Sequence, residues 1–133
     1  MPRQGIDPAQ GRSAVQRVLV SIDAGDAVDR ADLGLAVRHF AGLLRERAPG
    51  HSVEVRIPGP VGTAFQCGEG PQHTRGTPPN TIETDPITFV RLCAGRTDWS
   101  AAVAAGEVRA SGARADLSAL LPVRGDGDER RET

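Results

Sequence analysis

Apolar positions recur along the chain in two periods, and the switches between them predict the elements. From Pro8 to Ala24, the residues Ala14, Val15, Val18, Leu19 and Ile22 fall on one face of a helix that Gly25 stops. A second helix runs from Arg30 to Ala48, opening at Asp29 or Asp32. Its Leu33, Ala36, Val37, Phe40, Leu43 and Leu44 repeat every three to four residues, and Pro49-Gly50 ends it. From Ser52 to Pro58 the period drops to two: Val53, Val55 and Ile57 alternate with Glu54 and Arg56, as in a half-buried strand. Pro58-Gly59-Pro60 turns the chain into a second strand, with Val61, Thr63, Phe65 and Cys67 on one face.

The stretch from Gly68 to Asn80, GEGPQHTRGTPPN, is irregular, because its glycines and prolines exclude a helix or a central strand. Thr81 to Thr84 resumes as a short strand. Asp85-Pro86 opens a third helix, with Ile87, Val90, Cys93 and Ala94 in one stripe, widened by Phe89 and Leu92, up to Gly95. Thr97 or Asp98 caps a fourth, Trp99 to Ala105, and Gly106 closes it. Glu107 to Ser111 reads as a strand with Val108 and Ala110 inward, and Ala115 to Leu121 as a last helix before Pro122. Residues 1–8 read as a flexible tail, 9–123 as one domain, and 124–133, RGDGDERRET, as a disordered tail.

Composition narrows the chemistry. The net charge is −1 with 25% charged residues, which gives nucleic-acid binding no support. All 16 basic residues are arginine. Aromatics make up only 3%, so a core of Ala, Val and Leu has few large plugs and leaves room for a cavity. Two distant cysteines make neither a disulfide framework nor a zinc pattern. The start of the chain lacks an apolar signal core, and no run approaches the ~20 residues of a membrane span. A cytoplasmic location is the expectation.

Reactive clusters are scarce. His39 sits beside Phe40 on a helix and His51 in a turn, too far apart in sequence from His73 for a metal site. His73 and Cys67 form no cysteine-enzyme signature, and Cys67 ends a strand where a small apolar residue belongs. In the loop His73-Thr74-Arg75, Arg75 either receives a carboxylate or phosphate headgroup beside His73, or pairs with Glu69, Glu83 or Asp85 and pins the loop.

The succession from Thr81 onward resembles the sterol carrier protein-2 family. The likeness rests on Thr81-Ile82-Glu83-Thr84, on Asp85 through Leu92-Cys93-Ala94-Gly95-Arg96, and on Trp99 through Ala104-Ala105-Gly106-Glu107-Val108-Arg109-Ala110-Ser111-Gly112. It continues through Asp116-Leu117 to Leu121. The ETDP and HTRGTPPN segments are most like the stand-alone bacterial branch of the family. Glu107 stands where the family usually has lysine, and Ala110 is smaller than its usual apolar residue.

This resemblance implies an α+β fold: a twisted, mainly antiparallel sheet with helices over one face and an apolar tunnel between. It implies a non-catalytic carrier, without cofactor, for a fatty acid, acyl chain or sterol-like molecule, with at most transient membrane contact. The candidate wall is Phe40, Leu44, Phe65, Phe89, Leu92, Trp99, Val103, Leu117, Leu120 and Leu121, with the last three at its lip. Each of these side chains is equally at home in an ordinary core. The alternatives are an enzyme or accessory domain acting on a thiol or carboxylate substrate through His73 and Arg75, like the modules of mycothiol-dependent isomerases, and a protein-docking module.

Overall fold

The computed structural model describes residues 6–70 and 80–123. In it, four helices α1 (Pro8–Ala24), α2 (Arg30–Arg47), α3 (Pro86–Cys93) and α4 (Trp99–Ala104) accompany four strands β1 (Val53–Ile57), β2 (Thr63–Cys67), β3 (Thr81–Thr84) and β4 (Val108–Ser111). Each helix opens on an aspartate whose carboxylate accepts a backbone N–H three residues on: Asp7 from Gln10 (3.2 Å), Asp29 from Asp32 (3.0 Å), Asp85 from Thr88 (3.0 Å) and Asp98 from Ala101 (3.3 Å). Each such cap satisfies a donor that the first turn leaves unpaired.

The strands form one mixed sheet in the order β2-β1-β3-β4. β1 pairs with β2, and β3 with β4, in antiparallel register, whereas β1 and β3 run parallel. Two of the three pairings are therefore antiparallel, as the resemblance implied. Val53, Val55 and Ile57 of β1, Phe65 and Cys67 of β2, Ile82 and Thr84 of β3 and Val108 of β4 are all buried on the inner face. The other face carries Arg56, Glu83 and Arg109 in one row across three strands, with Glu83 3.3 Å from Arg109 and Arg56 2.9 Å from Glu54. Exposed pairs of this kind add little stability, and they leave that face polar.

Two expectations need correction. Ala110 lies opposite Ile82, so it does share the inner face, but it is exposed because β4 is the sheet edge. The last helix does not form. Between Gly112 and Pro122 there is only a 3₁₀ turn, Ser118–Leu120. Asp116 accepts the N–H of Ser118 at 2.8 Å, an Asx turn that competes with helix, and Leu121 is extended (φ −106°, ψ 145°) ahead of the proline.

A polar clamp ties the sheet to the C-terminal segment. Asn80 is buried, its amide donates to the Ser52 carbonyl (2.8 Å), and its side-chain oxygen accepts from the Arg114 N–H (2.9 Å). Its backbone carbonyl accepts from Glu54 N at 3.0 Å. Alanine at this position would strand a buried carbonyl and a backbone donor. Asn80→Ala is expected to cost about 1–3 kcal/mol in urea unfolding. Asn80→Asp is not expected to rescue it, since the Ser52 carbonyl needs a donor.

Candidate functional site

Helix α1 lies antiparallel on α2. Arg17 reaches Asp32 (3.0 Å), while Gly11, nearer the start of α1, faces His39, further along α2. The contact is close because Gly11 has no side chain: a Cβ there would sit 2.2 Å from His39 Nδ1 and 2.9 Å from His39 Cβ. At its other end α1 is tied to the turn after α3, where Arg96 donates to both carboxylate oxygens of Asp23 at 2.8 and 2.9 Å.

Between these ties a groove of about 220 Å³ opens along the α1–α2 seam. From α1 it is lined by Arg12, Val15, Gln16 and Leu19, which the helical period places in one stripe. From α2 come His39, Phe40 and Leu43, and the end wall is Ala94, Pro122 and Val123. The Val123 N–H donates to the Cys93 carbonyl (2.8 Å), which holds that end wall against α3. Gly95, at φ 80°, takes a left-handed turn and lets Pro122 approach: a Cβ there would lie 3.2 Å from Pro122 Cβ. A second depression of about 370 Å³, bounded by Ala9, Gln10, Ser13, Arg17 and Leu35, is shallower and has Leu35 as its one large apolar wall.

Among the described side chains expected to bind ligand, only Phe40 lines this groove. Phe40, Leu44, Phe65, Phe89, Leu92 and Leu117 are at most 6% exposed and belong to one core cluster. Phe65 meets Phe89 edge-on, with ring centroids 6.1 Å apart and planes at 63°. Trp99, Leu120 and Leu121 are half-buried against that cluster, and Val103, at 38% exposed, faces solvent. His73 and Arg75 lie outside the described residues. The groove residues of α1 carried a legible signal, since Val15 and Leu19 were read on its apolar face. What the sequence did not reveal is that Gly11 sets the helix spacing, or that Pro122 and Val123 fold back to close one end.

Little else among the described residues suggests reactive chemistry. His51 Nδ1 lies 2.8 Å from Gln66 Oε1. Among the described residues no group of three or more His, Cys, Asp or Glu side chains converges as a metal site would require, and no helix is long and apolar enough to cross a membrane. Cys67 and Cys93 are free and buried. Burial pushes the Cys93 thiol well above its ordinary range and raises that of Cys67 as well. Neither supplies a thiolate near neutral pH.

The open mixed sheet and the helices over its inner face define a small α+β protein, with a surface groove along the α1–α2 seam. Residues 29–123, most of the chain, match the model of the family described as bacterial SCP ortholog, and the chain belongs to that family. No curated protein matches it. Family membership supports a lipid-binding role. Helix α1 precedes the matched span, which begins at Asp29, the N-cap of α2.

Two outcomes follow from this geometry. Gly11→Ala adds a methyl where His39 leaves no room. It is expected to lower stability by about 1–3 kcal/mol through overpacking, despite alanine's better helix propensity, as read by thermal or urea unfolding. The native thiols are expected not to react with an aromatic disulfide reagent, and both to react after unfolding. Their raised folded pKa values also fix a pH dependence. Stability is fully present below the unfolded thiol pKa of about 8.5 and falls as pH rises above it, by up to about 1.4 kcal/mol per pH unit for a buried thiol. Urea midpoints at pH 7.5 and pH 9.5 test that decline.

Proposed function

We propose that this protein is a non-catalytic lipid carrier that holds a fatty-acyl or sterol-like group in apolar space beside α2. The observation that supports this most directly is the groove between α1 and α2, floored by Val15, Leu19, Phe40 and Leu43. Family membership supports the same reading. Each buried methylene gains about 0.8 kcal/mol, so affinity for such a ligand needs no dense polar constellation. At about 220 Å³ the groove is smaller than the roughly 300–1,000 Å³ usual for small-molecule sites, which fits a slim chain segment better than a fused ring system. The core residues Leu44, Phe65, Phe89, Leu92 and Leu117, together with Trp99, Leu120 and Leu121, would then back the wall rather than touch the ligand. A location in the cytoplasm and brief contact with membranes during loading would accompany such a role.

Native mass spectrometry of the purified protein, before and after solvent extraction, tests the reading. The expected result is an extractable apolar adduct, and binding of a fluorescent fatty acid by the stripped protein. Leu43→Asp places a charge in the half-buried groove and is expected to weaken that binding about 10- to 100-fold with the far-ultraviolet circular dichroism unchanged. Val20→Asp, at a position 64% exposed and outside the groove, should leave it intact. A protein that is bare as purified and ignores both fatty-acid and sterol probes would end the proposal.

A further inference from the structure

Charge is distributed unevenly around the groove. Among the described residues Arg12 and His39 are its only ionisable lining residues, and no Asp or Glu borders it. The other charged residues that tie α1 down are matched, Arg17 with Asp32 and Asp23 with Arg96. Among the described residues Arg12 takes part in no ion pair. It is exposed, and it stands in the same helical stripe as Val15, Gln16 and Leu19, so its cation sits at the edge of an apolar floor. Gln16 brings an amide to the same edge, one turn along. An arginine remains charged at any pH of interest and donates in a fork that matches a carboxylate.

We propose that this groove selects a single-chain amphiphile by an anionic carboxylate end, with Arg12 as the headgroup residue and Gln16 as an auxiliary donor. The inference rests on the groove being the ligand site. It adds that specificity is set by α1, which lies outside the span matched by the family. A neutral alcohol or sterol presents only a hydroxyl and gains no charge-assisted bond there. The chain would lie over Leu19, Phe40 and Leu43, with its far end toward Val123.

The test uses the full chain, stripped of bound lipid, with oleate, oleyl alcohol and cholesterol each below its aggregation limit, at a pH where oleate is ionised. The unaltered protein is expected to bind oleate about 10- to 100-fold more tightly than oleyl alcohol. That advantage should shrink as salt rises, because exposed charges are screened. Arg12→Gln is expected to bring oleate down to the level of oleyl alcohol without changing the alcohol's affinity. Arg12→Lys should keep part of the difference, and Arg45→Gln, outside the groove, all of it. Equal binding of oleate and oleyl alcohol, or an oleate affinity untouched by Arg12→Gln, overturns the headgroup assignment while leaving the apolar groove standing. Failure of all three ligands overturns the groove itself as a lipid site. Preference for cholesterol overturns the carboxylate assignment in favour of a neutral ligand.

Discussion

Helix α2 must be buried on two sides at once, and the rest of the molecule is arranged around that demand. Gly34, Val37, Ala41 and Leu44 form a buried stripe, and a Cβ at Gly34 would lie 3.6 Å from Val61 in the turn before β2. Asp32, Leu35, His39, Phe40 and Leu43 meet α1 or border the hollows beside it. Ala36, wholly buried, falls on that same stripe. A helix with two apolar faces needs two partners, and small residues at its contacts let both come near. The sheet is one partner and α1 is the other. The groove is what remains where the second seam, shared with the turn after α3, does not close.

The sheet shows how a small domain keeps its faces distinct. The inner face is made of branched and aromatic side chains that meet α2 and α3. The outer face carries a row of alternating charge across β1, β3 and β4. Beside the apolar packing of the inner face, the three bonds of Asn80 link β1, the start of β3 and the Arg114 turn. Its side chain is also fully satisfied, and among the described residues no buried side-chain polar atom lacks a partner. Polar groups inside a low-dielectric core hold a single geometry only when every member of the network is bonded.

Most of the framework was legible in the sequence because its signals are local. Asp-Pro at the start of α3 and glycine after α1 and α3 fix helix ends through backbone chemistry that no distant contact can easily override. Alternation in β1 gave the buried face of that strand without reference to its neighbours. Where legibility failed, either a weak local signal outweighed the apolar pattern or the deciding contact was remote. The last apolar run, Ala115 to Leu121, has the composition of a helix, yet Asp116 captures the Ser118 N–H and Pro122 extends Leu121. Ala110 was read as inward, and it is, but a strand's depth in the sheet depends on what pairs beyond it. The groove was harder still. Large apolar residues are the natural candidates for a ligand wall, and six of them, Phe40, Leu44, Phe65, Phe89, Leu92 and Leu117, are buried in the core cluster. The groove is instead shaped by Gly11, Gly95 and the folded-back Pro122-Val123, residues whose importance lies in what approaches them.

The boundary at Asp29 has a consequence for how such a protein changes over time. The matched span begins at the capping residue of α2, and helix α1 ahead of it is held by one apolar stripe and two surface ion pairs. Positions 12 and 16 of that helix border the hollow without contributing to the central core. On the proposed reading, substitutions there would alter what the hollow prefers while the sheet and α2 stay untouched. Inheritance of the fold and inheritance of selectivity would then be carried by different segments of the chain, and the second could drift at little risk to the first.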